Sequence, residues 1–257
     1  MAESVRALDI VIPVYNEGRN ILPVLASLRA QVRAPFRVLV CYDHDADDTL
    51  AALRGTPDLG VEIVPVKNRR RGAHGAVVTG FEASTAPAVL VFPADDTTNA
   101  GVIDEMVARC ASGDAIVAAS RFMPGGRMVG CPWLKAVLVR TANWTLHHLA
   151  GIPTRDASNG FRLFSRRVLE AIPVESSVGF TYSLELLVKC HRLGWRISEV
   201  PAQWFERAKG QGASRFRVLR WLPAYLRWYA YAFATTMLHR GPETVTRPAL
   251  ASGSGAS

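Results

Sequence analysis

The chain has 257 residues, 49% hydrophobic and 20% charged, so it is too apolar to be disordered and long enough for one large or two small domains. Its four cysteines are far apart and have neither CxxC nor CxxH spacing, which argues against a disulfide framework or a zinc site. The formal net charge of +8 indicates an anionic partner, and seven basic residues against one acid lie between positions 201 and 240.

The first half of the chain alternates predicted strands with predicted helices. Apolar runs predict strands at residues 8–14, 36–42, 61–66, 88–92 and 115–119. Helices are predicted at residues 17–31, 72–83 and 102–111, with a short one that ends near Leu53. Because this alternation is typical of a mainly parallel sheet with right-handed crossovers, we expect an α/β fold.

Beyond Ser120 the alternation stops. Helices are predicted at residues 133–149 and 183–192, a strand at 196–200, and a final helix near 216–238, which Pro223 kinks or begins. Residues 241–257 are rich in Pro, Gly, Ser and Ala and are expected to be disordered. We therefore expect one α/β domain over residues 1–215, a separate helix over 216–240 and a tail over 241–257.

Two adjacent carboxylates, Asp95 and Asp96, follow the fourth predicted strand. Pro93 ends that strand, and ligands of open α/β sheets bind outside the carboxyl ends of the strands. Adjacent acids repel each other, so the pair favours a hard divalent cation such as Mg²⁺ or Mn²⁺. The alternative is that Asp95 caps the helix that begins near Ala100.

Several common catalytic motifs are missing from the sequence. It contains no GxxxxGK[ST], GxGxxG, HExxH or GxSxG pattern, which removes the usual ATPase, dehydrogenase, zinc-protease and hydrolase interpretations. The acidic residues therefore need another explanation.

A series of short motifs runs from the first predicted strand to the last. They are Ile12-Pro-Val-Tyr-Asn-Glu17, Asp43-His-Asp-Ala-Asp-Asp-Thr49, Arg71-Gly-Ala-His-Gly-Ala76, Asp95-Asp96, Ala119-Ser-Arg-Phe122, Asp156-Ala-Ser-Asn-Gly-Phe-Arg162, Gly179-Phe-Thr-Tyr-Ser-Leu-Glu185 and Glu199-Val-Pro201. In order and spacing, the series resembles family 2 glycosyltransferases of the GT-A fold, most closely the dolichol-phosphate mannose synthase group of polyprenyl-phosphate glycosyltransferases. The resemblance covers about residues 9–216.

The resemblance implies an inverting transfer of a hexose, first of all mannose, from GDP-mannose or a UDP-sugar to a polyprenyl (dolichyl or undecaprenyl) phosphate. It implies a divalent cation on Asp95, with Asp96 as a second ligand, and Arg121 as a catalytic group. We assign the nucleotide-sugar pocket to Pro13, Tyr15, Glu17, Asp43, Arg71, Gly72, Ala94 and Arg207. We assign the acceptor phosphate to Arg121, Lys135 and Arg215.

The phosphate oxygen of such an acceptor is already anionic at neutral pH, so it needs orientation more than a general base. Alternatives stay open for the basic residues. If they do not bind the acceptor, Arg121 and Lys135 are members of surface ion pairs. If Arg162 has no role in the site, it pairs with Asp156 in the core.

The chain departs from the family pattern at three places. Pro93 stands where the metal motif Asp-x-Asp has its first acid, and Tyr42 replaces the first acid of the pair after the second strand. The short turn Gly-x-Ser-Lys is matched by Gly212-Ala-Ser-Arg215, with two extra residues before it. These departures concern the metal ligands and the lid over the donor.

The final helix has an uncharged stretch of 11 residues, 228–238, whereas a membrane span needs about 20. Its aromatic and basic residues favour a helix in the headgroup region of a membrane surface, with an ordinary core helix as the alternative. These residues are Trp221, Tyr225, Trp228, Tyr229, Tyr231, Arg217, Arg220 and Arg227. Without a recognisable secretory signal, we expect a cytoplasmic protein, peripheral on the inner membrane face, with no nucleic-acid partner.

Two other functions stay open. The acceptor is otherwise a soluble metabolite or glycan, in which case the final helix belongs to the core. The second alternative is a non-catalytic sugar-nucleotide-binding protein. It is motivated by Pro93, which replaces an acid of the metal motif.

Overall fold

The computed structural model describes residues 6–56, 58–205 and 218–248, with the side chains of 218–220 excepted. The strands are β1 (Leu8–Pro13), β2 (Phe36–Tyr42), β3 (Glu62–Lys67), β4 (Ala88–Val91), β5 (Ile116–Ser120), β6 (Arg127–Val129), β7 (Arg162–Ser165), β8 (Ile197–Pro201) and β9 (Gln203–Phe205). The α-helices are α1 (Ile21–Gln31), α2 (Asp48–Arg54), α3 (Gly72–Ala83), α4 (Ile103–Ala111), α5 (Trp133–His148), α6 (Arg166–Ala171), α7 (Thr181–Arg192) and α8 (Val218–Met237). Short 3-10 helices are Gly18–Asn20, Ala100–Val102 and Pro242–Thr244.

Seven strands form one sheet in the order β3-β2-β1-β4-β7-β5-β8. Neighbouring strands are parallel, except that β7 runs antiparallel to β4 and to β5. Because β7 is antiparallel to both, β4 and β5 point the same way, and the other six strands share one carboxyl edge. The predicted mainly parallel sheet with flanking helices is confirmed.

The predicted elements and the observed ones differ mainly after β5. The bounds of β2 and α3 are as predicted, whereas β6, β7, α6 and β9 were not predicted. β7 begins with Arg162, a charged residue that breaks the apolar pattern expected of a central strand. Arg162 is tolerated there because its guanidinium donates to the backbone carbonyls of Asp156 and Ser183.

Apolar side chains cover both faces of the sheet. The helices α1 and α4 pack on one face, where Leu25 and Met106 are fully buried. The helices α3, α6, α7 and α8 contribute to the core on the other face, where Phe81 and Leu187 are buried. This two-sided burial explains why the parallel strands are continuous apolar runs.

The terminal helix α8 belongs to the same core. Trp228 is 2% exposed and Ala232 fully buried, while Tyr225, Tyr229 and Tyr231 pack against the same cluster. The structure therefore favours the core alternative for these aromatic residues, and the helix does not form a separate unit. Pro223 lies inside α8. Within the described ranges, no helix has the length and apolar composition that crossing a bilayer requires.

The segment after α8 corrects the expectation of a disordered tail from residue 241. Residues 242–244 form a 3-10 helix, and Val245 is buried. Arg192 of α7 donates to the Thr244 hydroxyl at 3.1 Å, which anchors the segment. Residues 249–257 lie outside the described part of the chain.

Replacing Asp9 with asparagine should lower the free energy of unfolding by about 3–5 kcal/mol, because it strips a buried ion pair of its anion. Asp9 is fully buried in β1 and its carboxylate accepts hydrogen bonds from Arg37, Ser84 and two backbone N–H groups. Although burial opposes ionisation, these bonds lower the pKa of Asp9 below its usual value. Urea denaturation at neutral pH measures the loss.

The sign of the pH dependence follows from this lowered pKa. The carboxylate stabilises the fold above its unfolded pKa of about 3.9, and the contribution disappears as the pH falls through the lower folded value. The difference between wild type and Asp9→Asn should therefore shrink in acid. The control is Glu62→Gln at an exposed ion pair with Arg6, where we expect less than about 1 kcal/mol. Equal losses for both variants would contradict the expectation.

Candidate active site

The loops that carry the predicted site residues leave the sheet at its shared carboxyl edge. In sheet order they follow β3, β2, β1, β4 and β5, with β7 between the last two. Neighbouring strands lie about 4.8 Å apart, so the loops after β2 and β4, and those after β4 and β5, are each separated by roughly 10 Å. The structure thus arranges these residues as a row along one edge.

The loops after β1 and β2 are joined by hydrogen bonds. The Asn16 N–H donates to the buried Asp47 carboxylate at 3.0 Å, and the Glu17 N–H donates to the Thr49 hydroxyl at 3.0 Å. Asn16 has φ +52°, a left-handed conformation that asparagine tolerates better than most residues. The Glu17 backbone is therefore fixed against the second loop.

Asp43 holds the amino end of α3 in place. Its carboxylate accepts from the Asn68 amide at 2.6 Å and from the Gly72 N–H at 2.9 Å. Gly72 has φ +78°, which favours glycine at this position. Arg71 precedes it as the exposed N-cap residue of the helix. A carboxylate offers about four acceptor sites, so both oxygens of Asp43 keep capacity for a ligand.

Tyr15 and His44 form an aromatic wall at this end of the row. Their rings meet edge to face with centroids 5.4 Å apart, and Tyr15 is 40% exposed. Pro13 ends β1 beneath them and is half-buried. His44 was not assigned from the sequence, although its place beside Asp43 was visible there.

The two carboxylates after β4 differ in their surroundings. Asp95 is exposed, whereas Asp96 accepts from the backbone N–H groups of Thr98 and Asn99 and from the Asn99 amide at 2.6–3.0 Å. Burial raises the pKa of Asp96 above its usual value despite these bonds. Ala94, just before the pair, is buried. The carboxylate that closes the turn before residue 100 is therefore that of Asp96.

Asn99 extends this turn to the far side of the site. Its side-chain oxygen accepts from the Gln203 N–H at 2.8 Å, and its amide donates to the Gln203 carbonyl at 2.7 Å. The loop after β4 is thereby fastened to β9. This role was missed, since nothing in the sequence links positions 104 residues apart.

Arg121 is held by a buried ion pair. Its guanidinium donates to both oxygens of Asp156, at 2.7 and 2.9 Å, and to the Ser158 hydroxyl at 2.8 Å. The Asp156 side chain is fully buried and that of Arg121 is 12% exposed, so the ion pair is not one of the surface. Although burial opposes the charge, Asp156 raises the pKa of Arg121 above its usual value.

The other basic residues are placed differently. Lys135 lies on α5, its ammonium 5.2 Å from the centre of the Trp204 ring. Arg162 does not take the Asp156 carboxylate, which Arg121 holds, but bonds to the carbonyl of that residue. Burial lowers the pKa of Arg162 to about 10. Arg207 and Arg215 lie outside the described residues.

The described residues contain no preformed metal cage. Within residues 6–56, 58–205 and 218–248, no group of three or more His, Cys, Asp or Glu side chains is arranged to hold an ion. Asp95 does present an exposed carboxylate, the oxygen ligand that Mg²⁺ and Mn²⁺ prefer. A cation at Asp95 would therefore take further oxygens from a substrate, as Mg²⁺ commonly does with phosphates.

Two relatives of known name match most of this chain. Polyprenol monophosphomannose synthase of Mycolicibacterium smegmatis is 28% identical over 208 residues, which are 78% of this chain and 78% of the relative. Glycosyltransferase AglD of Haloferax volcanii is 30% identical over 213 residues, which are 77% of this chain and 33% of that longer protein.

Solved structures share the fold. Glucosyl-3-phosphoglycerate synthase of Mycobacterium tuberculosis, in complex with phosphoglyceric acid, superposes with a TM-score of 0.62 and 19% identity, over 90% of this chain and 79% of the other. The same enzyme with Mn²⁺, UDP-glucose and phosphoglyceric acid gives a TM-score of 0.60 at 20% identity, over 90% and 79%. The model of glycosyl transferase family 2 matches residues 9–172, and with the fold and the row of site residues this shows that the chain is a member of that family.

Proposed function

We propose that this glycosyltransferase moves a hexose, first of all mannose, from a nucleoside diphosphate sugar to a polyprenyl phosphate. The observation that carries the proposal is the row along the carboxyl edge, with Asp43 at one end, Asp95 in the middle and Arg121 at the other. The similarity to a polyprenol monophosphomannose synthase supports mannose and a lipid phosphate.

The donor nucleotide belongs at the end formed by β1 and β2. Tyr15 and Pro13 offer apolar surface to the base, and Asp43 and Glu17 accept hydrogen bonds from base or ribose. Arg71, exposed at the amino end of α3, adds positive charge for the diphosphate. The step of roughly 10 Å from β2 to β4 suits a nucleoside whose diphosphate reaches Asp95. The base is guanine or uracil; a solved structure of similar fold contains UDP-glucose.

Asp95, with Asp96 beside it, fits a divalent cation. One such ion, Mg²⁺ or Mn²⁺, supplies Lewis-acid stabilisation of the departing diphosphate when bound. Asp96 keeps the turn in shape through its three hydrogen bonds, so its first contribution is to hold Asp95 in position. A solved structure of similar fold contains Mn²⁺ together with UDP-glucose.

The acceptor phosphate belongs at the β5 end of the row. Arg121 binds it there with a guanidinium whose orientation Asp156 fixes, and Lys135 on α5 adds a second positive charge. A phosphate oxygen attacks the anomeric carbon while the bond from that carbon to the diphosphate breaks, so the nucleoside diphosphate leaves and the configuration inverts. The nucleophile is already ionised, and orientation is the main contribution of these residues.

A donor screen tests the proposal. The protein is incubated with GDP-mannose or UDP-sugars, Mn²⁺ and a short polyprenyl phosphate, and the release of nucleoside diphosphate is measured. We expect release that depends on the lipid phosphate and is fastest with GDP-mannose. No turnover with any donor and acceptor would overturn the proposal.

A soluble acceptor is the second candidate function. It is favoured by the fold shared with a synthase whose solved structure contains phosphoglyceric acid. An arm of the screen with 3-phosphoglycerate in place of the lipid separates the two. Turnover with this soluble phosphate alone would replace the lipid proposal. Calorimetry that finds nucleotide binding without metal dependence, and no turnover, would indicate a non-catalytic binding protein.

A further inference from the structure

The helix α5 exposes an unusually apolar side for a surface element. Only Asn143 and Leu146 among its 16 residues are buried. Five of its outward-facing side chains are large and apolar, and each is between 51% and 77% exposed. They are Trp133, Leu134, Val137, Leu138 and Trp144, which we call the α5 face. Contiguous apolar surface of this kind marks an interaction site.

The α5 face occupies one side of the helix, where the polar Thr141 is also exposed. With about 100° of rotation per residue, its five members fall within an arc of about 140°. Arg140 lies about 20° beyond one border of that arc, and Lys135 about 60° beyond the other. Val129 of β6 and Phe205 of β9, register partners in the small sheet, are further exposed apolar side chains, at 46% and 49%.

The segment of the chain that contains α5 carries one sign of charge. No Asp or Glu occurs in residues 115–155, whereas five Arg and Lys residues do. Arg155 is ion-paired with Glu199, and Arg121 with Asp156. Arg127, Lys135 and Arg140 surround the apolar residues. A partner for this surface must offer apolar material and negative charge together.

We propose that the α5 face docks this protein on an anionic lipid surface. A helix with Trp and Leu on one side and Lys or Arg along its borders lies in the plane of the headgroups, with its apolar side about 5–10 Å deep. A second copy of the chain fits less well, because an isologous pairing would bring the same positive charges together. The proposal deepens the proposed function, since it says where that enzyme would meet its lipid.

A short chain of hydrogen bonds joins the helix to the proposed acceptor site. The buried Asn143 amide, on the opposite side of α5, donates to the Ser158 hydroxyl at 2.9 Å. The same hydroxyl accepts from Arg121 at 2.8 Å. Docking of α5 therefore places Arg121 two hydrogen bonds from a helix in the headgroup layer. A lipid phosphate reaches that arginine while its hydrocarbon chain stays in the membrane.

Vesicle flotation with a matched pair of double variants tests the docking. Leu134→Glu with Leu138→Glu puts charge on the α5 face, while Leu222→Glu with Leu226→Glu does the same at two exposed leucines of α8. On phosphatidylcholine vesicles that contain phosphatidylglycerol, we expect the wild type and the α8 variant to float. The α5 variant should bind at least about a hundredfold more weakly. Binding to phosphatidylcholine alone should be weaker for all three.

Other results overturn the docking. The first is that the wild type does not float with the vesicles. The second is that the α8 variant loses binding as much as the α5 variant does. The third is that the wild type is a dimer that does not float, and that the α5 variant is a monomer. In case the α5 variant is misfolded by circular dichroism, brominated lipids give a second measurement. They should quench the fluorescence of the wild type, and Trp133→Phe with Trp144→Phe should remove most of that quenching. Undiminished quenching in that variant overturns the docking too.

The docking and the proposed function fail in distinguishable ways. If the wild type floats through α5 but no donor and acceptor pair turns over, the docking stands and the proposed function fails. If a short polyprenyl phosphate turns over while the wild type ignores vesicles, the function stands and the docking fails.

Discussion

Replacing Asp95 with asparagine should lower kcat for sugar transfer by about a thousandfold, the largest loss we expect from any single substitution. The change removes the exposed carboxylate at the tip of β4, where we propose that the donor diphosphate leaves, and keeps the shape of the side chain. Steady-state release of GDP from GDP-mannose, measured across a Mn²⁺ titration, gives the effect.

The matched control for Asp95 is Asp45→Asn. Asp45 is also an exposed carboxylate in a loop at the same edge, where it pairs with Lys67, and we expect its loss to change the rate by less than about threefold. The Asp95→Asn protein should still bind the nucleotide, but without a dependence on Mn²⁺. An unchanged rate that still requires the cation would show that Asp95 is not its ligand.

Replacing Arg121 with glutamine should lower kcat/KM for the lipid phosphate by about a hundredfold, because it removes the charge-assisted bond that we propose to the acceptor. Affinity for the donor nucleotide should stay the same, since β5 and the nucleotide loops are at opposite ends of the row. Initial rates with the acceptor varied, together with calorimetry of nucleotide binding, separate the two effects.

The stability of the fold must be followed in the Arg121 experiment, because the substitution leaves Asp156 buried without its cation. Arg121→Lys keeps the positive charge but loses the bidentate hydrogen bonding of a guanidinium. Compared with Arg121→Gln, it should therefore restore more of the stability than of the acceptor binding. The control is Arg155→Gln. Arg155 also lies in residues 115–155, the segment without Asp or Glu, and it pairs with Glu199. Equal losses of acceptor and donor affinity in Arg121→Gln would argue for a merely structural arginine.

Most of the sheet could be predicted from the sequence because its strands are buried on both faces and therefore consist of continuous apolar residues. The exception, β7, begins with a fully buried arginine whose guanidinium donates to two backbone carbonyls, one six residues earlier and one 21 residues later in the chain. Such compensation depends on tertiary contacts and leaves no local pattern. The same holds for β6 and β9, which have three residues each.

The places of the candidate site residues in the fold were predictable, and their contacts were less so. The placement of Asp43 and Asp95 at strand ends follows from the alternation of strands and helices. The ion pair of Arg121 with Asp156 does not follow from the sequence, since 35 residues separate the two and Arg162 was an equally good candidate partner for Asp156. The aromatic residues of α8 were compatible with a membrane surface or a core, and the burial of Trp228 and the packing of the three tyrosines distinguish the two.

The reversed direction of β7 has a consequence for redesign. Since β7 runs opposite to its neighbours, the chain enters it at the same edge where β4 and β5 end, and the segment before it arrives beside Arg121. Residues 121–161 therefore begin and end at neighbouring strands, like a cassette with adjacent attachment points. Exchanging that cassette between related enzymes should transplant acceptor selectivity while the strands beneath the nucleotide stay untouched.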